Sequence, residues 1–339
     1  MTTDTVNPRS WLYPTPRGLY CEPGDFYVDP AVAVSRAVIT HGHGDHARPG
    51  HRSALATPET LAVMRARFQD MPDTAQQALT YGEAVKIGDV EVSLVPAGHI
   101  LGSAQVVLEH RGQRIVVSGD YKRRPDATCP PFEPVPCDVF ITEATFALPV
   151  FHHPSDAGEI GKLLRSVATF PERTHLVGVY ALGKCQRVIK LLRAAGWDKR
   201  IWLHGALLSL CKLYQELGVD LGDIAHVSEA ILEPFKGAIV LCPPSAIADR
   251  WSRRFFEPIP AMASGWMGIR ARARQRGAEL PLIISDHADW SELTQTLKDV
   301  GAPKVWVTHG REEALVHHAR SIGIEAEALH LAGREEEGA

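Results

Sequence analysis

Four side chains able to hold a metal fall within six residues of one stretch, Thr40-His41-Gly42-His43-Gly44-Asp45-His46. The pattern is His-x-His-x-Asp-His, and it follows a short apolar run, Ala37-Val38-Ile39, which predicts a buried strand. The ligand-type residues therefore sit where a strand gives way to a loop. Glycines at 42 and 44 lack a Cβ and let the backbone curl. His41 and His43 can then face one point while Asp45 and His46 face another. Imidazole and carboxylate suit zinc, at roughly 2.0–2.2 Å, and such a loop has donors enough for two neighbouring ions. With 16 histidines in 339 residues an isolated pair would mean little. A polar surface loop is a poor account of the whole pattern at a strand end.

More residues of the same types follow other strand-like runs. His99 ends Val95-Pro-Ala-Gly-His, Asp120 ends Val117-Ser-Gly-Asp, and Glu143 ends Ile141-Thr-Glu. His287 lies in Ser285-Asp-His and His309 in Thr308-His. Loops at one edge of a sheet are where function-bearing residues are expected. A carboxylate between two ions can bridge them with its two oxygens, and Asp120 is the candidate. Taken alone, His99 or His309 is more often a satisfied polar residue than a ligand. The opening stretch reverses those odds.

The elements that must position these residues change character along the chain. From Gly18 to about Leu148 the pattern is strand-rich. Val90–Val95 alternates, as does part of Ala104–Leu108, while Arg114–Ser118 and Val139–Thr142 are short β-branched runs. One helix interrupts, with Thr57 as its cap, Pro58 at its first position and an apolar stripe of Leu61, Met64 and Phe68. From about Ser155 helical and strand runs alternate. The helices are Ile160–Val167, Lys184–Ala194 and Leu207–Leu217, and the strands are Leu176–Tyr180, Arg200–Leu203 and Ala238–Leu241. That alternation indicates a parallel α/β sheet. Strand Leu282–Ser285 then enters a helix opened by Asp289 and Glu292 as a capping box, and strand Lys304–Thr308 enters a helix from Arg311. The expected partition is one metal domain in two parts, residues 1–148 and 281–339, split by a smaller α/β insertion at 149–280.

Composition excludes several classes. Hydrophobic residues at 45% and charged residues at 22% fit globular domains with sizeable cores. A net charge of −4 leaves any polynucleotide binding to a local patch. The six cysteines have no Cys-x-x-Cys spacing, which argues against a disulfide framework or a cysteine zinc site. No apolar run approaches the roughly 18 residues of a membrane span. The N-terminus lacks the features of a signal peptide. The expectation is a cytoplasmic protein with no membrane partner.

His41, His43, Asp45, His46, His99 and Asp120 resemble the motifs of the metallo-β-lactamase superfamily. Glu143, His287 and His309, with an α/β insertion between the first two, resemble the three further motifs of its β-CASP nucleases. Within that group, Gly18–Pro30, Ala97–Gln105, Tyr180–Arg187, Ser264–Met267 and Ser285–Trp290 are similar to the bacterial DNA ligase-associated exonucleases. The resemblance implies an α/β fold, an αββα sandwich carrying an inserted β-CASP domain. It implies two zinc ions, with manganese as the alternative. His41, His43, His99 and Asp120 would hold one, and Asp45, His46, Asp120 and His309 the other. Such a pair generates a hydroxide and stabilises the charge of a phosphoryl displacement. The implied catalytic set is His287 as general acid, Glu143 orienting it, and Asp45 and Asp120 on the metals. Asp29 in Tyr27-Val-Asp-Pro30 would brace the metal loop from behind.

Weaker signals concern the substrate. Gly183-Lys184 opens a helix after a strand, a place that suits a phosphate. Arg250, Arg253 and Arg254, then Arg270, Arg272, Arg274 and Arg276, form a basic region. A solvated helix face is the usual meaning of such a run; tracking a phosphate backbone is the alternative, with Lys184, Arg270, Arg272 and Arg274 as candidates. The favoured activity is that of a dinuclear-zinc phosphodiesterase on nucleic acid, a DNA exonuclease in repair. Three alternatives stand beside it. One is an RNA-processing ribonuclease of the same fold, whose third motif His309 resembles. Another is a small-molecule hydrolase of the glyoxalase type, which shares His-x-His-x-Asp-His. The last is a non-catalytic nucleic-acid scaffold. DNA is favoured over RNA as partner, and the resemblance suggests a functional link to an ATP-dependent DNA ligase and a helicase.

Overall fold

The structure, a computed structural model, describes residues 7–68, 76–230 and 235–331. The chain forms two compact units. One comprises Met1–His152 with His287–Ala339, and the other is His153–Asp286.

The first unit is built on two sheets. One has six strands in the spatial order Leu12–Thr15, Gly18–Cys21, Phe26–Val28, Arg36–Val38, Ser53–Ala56 and Gln76–Ala78. It is antiparallel at its N-terminal end and parallel from Phe26–Val28 onward. The other has seven, in the order Glu325–Ala328, Lys304–Gly310, Val139–Ala144, Gln113–Val117, Ala104–His110, Val90–Pro96 and Ala84–Ile87. Strand Val90–Pro96 shows how the sequence chooses its face. Its residues alternate, so Val90, Val92 and Leu94 all point inward and are fully buried. They meet Leu12, Leu19, Val38 and Leu55 of the first sheet in one core. Burying each such side chain contributes about 1.5–3 kcal/mol.

Helices cover both outer faces. Pro58–Arg67 lays Leu61 and Met64 on Ala37, Ile39 and Ala54 of the first sheet. Trp290–Val300 and Glu312–Ser321 lay Leu293, Leu297 and Leu315 on Val116, Phe140, Val305 and Val307 of the second. The result is the αββα sandwich. The helix caps follow the sequence. Thr57 accepts from the Thr60 amide at 3.2 Å, and Asp289 and Glu292 close a reciprocal capping box at 3.0 and 3.1 Å. Thr57 and Thr60 also donate to the Gly102 carbonyl, at 2.7 and 2.9 Å, tying the helix start to the loop after His99.

The second unit carries a six-stranded, all-parallel sheet. Its order is Ile224–His226, Ile201–Leu203, Ile239–Cys242, His175–Gly178, Ile259–Ala263 and Leu280–Leu282. His175–Gly178, Ile201–Leu203 and Ile239–Cys242 are buried along their whole length, as parallel strands between helices must be. Two details depart from the sequence expectation. The edges of this unit lie at 152/153 and 286/287, not at 148/149 and 280/281. At the first edge Phe151 still packs on Phe146, with ring centroids 5.1 Å apart. At the second, the strand expected at Leu282–Ser285 is Leu280–Leu282, and the residues after it leave the sheet. Side chains take over their backbone there. Glu159 accepts from the Ile283 amide, and Lys184 donates to the Ile284 carbonyl.

No helix among the described residues is long and apolar enough to cross a membrane.

Candidate metal centre

The loop after strand Arg36–Val38 closes as a helical turn, with the Ala47 amide donating to the His43 carbonyl at 2.7 Å. Its curl does not rest on left-handed glycines, for neither Gly42 nor Gly44 has a positive φ. The glycines that do matter precede other ligand-type residues. Gly98 has φ 71° and Gly119 has φ 57°. A Cβ on Gly98 would stand 2.4 Å from the Lys122 carbonyl oxygen, and one on Gly119 would stand 2.8 Å from the Thr40 side chain. Only glycine lets the chain turn there and deliver His99 and Asp120 to the opening loop.

The expected residues converge. His41, His43, His99 and Asp120 form one group whose ligand atoms all lie within 4.8 Å of one another. Asp45, His46 and His309 form a second such group. Asp120 Oδ2 lies 3.6 Å from His41 Nε2, 3.4 Å from His46 Nε2 and 3.9 Å from His99 Nε2, between the two sets. Asp29 stands behind them. Its carboxylate accepts from the Thr40 amide at 2.7 Å, the Thr40 hydroxyl at 2.6 Å and His46 Nδ1 at 2.7 Å. That fixes the His46 ring with Nε2 turned toward Asp120. Asp29 holds a left-handed backbone, φ 44°, and so does His309, φ 61°. Strain of this kind in a non-glycine residue persists where the surroundings enforce it. Asp29→Ala is expected to lower metal affinity about 10–100-fold while leaving the fold intact, measured by metal titration and circular dichroism.

Electrostatics and packing fit metal ions. Burial, followed by the charge of His46, holds the His41 imidazole well below its usual range. Burial opposes ionisation of Asp120, yet His46, His309 and His287 outweigh it and hold the carboxyl well below the usual range. Neutral imidazole beside ionised carboxylate is the state a metal requires. His41 Nε2 and Asp120 Oδ1 are buried with no hydrogen-bond partner among the described residues. A polar atom left that way costs about 1–3 kcal/mol. A metal bond would satisfy both.

Glu143 and His287 form a separate pair beside this centre. His287 Nδ1 lies 2.9 Å from Glu143 Oε2 and 3.1 Å from Oε1, and the Tyr121 amide donates to Oε1 at 2.7 Å. The His287 ring is 4.7 Å from that of His99, centroid to centroid. Asp120, Glu143 and His287 also bring ligand-type atoms within 4.8 Å of one another.

The substrate candidates lie in the second unit. Lys184 is buried and engaged, 3.0 Å from Asp286 and 2.7 Å from the Ile284 carbonyl, so its ammonium serves the interior of that unit. Arg270 and Arg274 are exposed on the short helix Arg270–Gln275, and Arg272 lies over the Trp266 ring at 4.0 Å. Sequence reasoning passed over Thr40, the hydroxyl that links Asp29 to the metal loop. It also passed over Arg187 and Asp286, whose pairing joins distant stretches and leaves no local pattern.

The fold and centre can be set against known proteins. Residues 282–329 match the family described as the Zn-dependent metallo-hydrolase RNA specificity domain. Over 94% of its length the chain is 28% identical to a probable DNA ligase of Opitutus terrae, of which it spans 31%. It is 24% identical to a ribonuclease of Thermus thermophilus, covering 88% of this chain and 86% of that one. It is 28% identical to the endoribonuclease YSH1 of Gibberella zeae, over 49% of this chain and 20% of the other. The crystal structure of a protein of unknown function from Enterococcus faecalis superposes with a TM-score of 0.59 at 12% identity, covering 88% of this chain and 80% of that chain. The αββα sandwich and the paired His/Asp groups suit a metal-dependent hydrolase. Together these likenesses support placing the chain with the metallo-β-lactamase/β-CASP superfamily.

Proposed function

We propose that this protein is a dinuclear-zinc phosphodiesterase that degrades DNA from an end, in the service of repair. The observation that carries the reading is the His287–Glu143 pair set beside two groups of metal-ligand residues. His41, His43, His99 and Asp120 would hold one ion, and Asp45, His46 and His309, with Asp120 shared, the other. Bound there, two metals supply an activated water and neutralise the charge of a phosphoryl displacement. The chain's own residues do the rest. Asp29 and Thr40 hold His46 in register. Glu143 accepts from His287 Nδ1 and orients the ring. His287 Nε2 then gives its proton to the leaving 3′-oxygen, so that the products carry a 5′-phosphate and a 3′-hydroxyl. Arg270, Arg272 and Arg274 are candidates for tracking the phosphate backbone.

The DNA preference is supported by likeness to a probable DNA ligase along nearly the whole chain. The same likeness supports action beside a DNA ligase, and the family resemblance extends this to an ATP-dependent ligase and a helicase. RNA is the second reading, favoured by the match of 282–329 to an RNA specificity domain and by His309. Digestion of end-labelled single- and double-stranded DNA and of matched RNA, with and without chelator, tests both. Chelator-sensitive release of mononucleotides from DNA is the expected result. Cleavage of RNA alone would assign the second reading, and cleavage of neither would sink the proposal.

A further inference from the structure

The segment that runs from the last strand of the second unit to His287 is held by buried charge. Glu159 Oε2 accepts from the Ile283 amide at 2.9 Å, Lys184 Nζ donates to the Ile284 carbonyl at 2.7 Å, and Arg187 Nη1 donates to the Ser285 carbonyl at 2.5 Å. The same two cations meet the carboxylate of Asp286, Lys184 at 3.0 Å and Arg187 at 2.8 Å. Relative exposures are 1% for Glu159, 3% for Lys184, 2% for Arg187 and 6% for Asp286. Three successive residues thus have their backbone groups fixed by long side chains, and a fourth is fixed through its own carboxylate. The next residue in the chain is His287.

Stability is a poor reason for such a cluster. Well-packed apolar residues of similar volume commonly serve a core as well as a buried ion network, or better. What the ions add is direction. A guanidinium donates along fixed lines, and one nitrogen here serves both Ser285 and Asp286. Lys184 and Arg187 lie on the first turn of the helix Lys184–Ala194, within the rigid frame of the parallel sheet. They transmit that rigidity to a segment that has left the sheet. The backbone is thereby held through Asp286, the residue that precedes His287 in the chain.

We propose that Lys184 and Arg187 are positioning residues for His287, acting through the Ile284–Asp286 backbone and the Asp286 carboxylate; this rests on reading His287 as the proton donor. Displacement of a catalytic group by about 1 Å can cost on the order of 10²-fold in rate. Arg187→Met is therefore expected to lower kcat on single-stranded DNA by about 10–10²-fold, with KM little changed and metal content at the wild-type level. On bis(4-nitrophenyl) phosphate, whose leaving group needs no proton, the loss should be no more than about threefold. Added to His287→Ala, the substitution should cost nothing further on DNA. Arg187→Lys keeps the charge and should recover part of the rate.

A purely structural role would lower both substrates alike, or would reduce only the folded fraction in a thermal melt; either result overturns the proposal. Should Arg187→Met fail to fold, Lys184→Met, which leaves the Arg187–Asp286 contact in place, carries the same two-substrate comparison. The comparison is run beside His287→Ala. Selective loss in His287→Ala without selective loss in the clamp variants removes the clamp and leaves the general acid. Equal loss on both substrates in His287→Ala removes the general acid, and the clamp falls with it.

Discussion

Asp120→Asn is expected to lose bound metal and activity together. The carboxylate lies between His41, His46 and His99, at 3.4–3.9 Å from their Nε2 atoms. Its carboxyl is held well below the usual range because His46, His309 and His287 outweigh its burial. The amide keeps the shape and removes the charge, so neither metal is neutralised as before. Metal charge stabilisation is worth several kcal/mol, and each ~1.4 kcal/mol is about tenfold. Phosphodiesterase activity should therefore fall by at least about 10³-fold. Metal analysis should show close to two zinc or manganese ions in the purified wild type and depleted sites in the variant. An Asp120→Asn protein with both metals and full activity would refute the assignment of Asp120 as the shared ligand.

His287→Ala separates proton donation from metal binding. The variant should retain both metals and bind DNA, yet cleave about 10²–10⁴-fold more slowly, the usual worth of a general acid. The defect should shrink on bis(4-nitrophenyl) phosphate, because a nitrophenolate leaves without protonation. Glu143→Gln should show the same selectivity in milder form, since it removes the 2.9 Å carboxylate support of Nδ1 but leaves the imidazole. His309→Ala should differ in kind, weakening metal binding through the group of Asp45, His46 and His309. If His287→Ala releases metal as His309→Ala does, the ring is a ligand and the general-acid role is wrong.

Much of this was legible in the chain because local rules sufficed. Val90–Pro96 alternates by simple periodicity, and Asp289 with Glu292 announces a helix start through a hydrogen-bonding pattern three residues wide. The His-x-His-x-Asp-His stretch is compact enough to be read as one object. Where the outcome depended on distant side chains, the sequence was mute. The run Leu282–Ser285 has the apolar, β-branched look of a strand. It stops at Leu282 because Glu159, Lys184 and Arg187 claim the backbone groups that a ladder would have used. Lys184 resembled a phosphate ligand for its place after a glycine at a helix start, a local cue that a carboxylate a hundred residues away overrides. The short antiparallel strands Leu12–Thr15 and Gly18–Cys21 escape notice for a related reason, since four residues carry too little pattern to declare a face.

The parallel pairing of Val139–Ala144 with Lys304–Gly310 has a consequence for how the molecule comes into being. These strands are neighbours in one sheet, yet the whole of His153–Asp286 is made between them. On the ribosome, His41, His43, His99 and Asp120 emerge together and ahead of that long interruption. His309 emerges after it, on the later strand. The pairing must wait for a loop to close across the intervening residues, which slows folding more than it weakens the final state. The two candidate ligand groups are therefore completed at different times. One can gather its ligands from a half-made chain, whereas the other exists only once the last strands have threaded into the sheet.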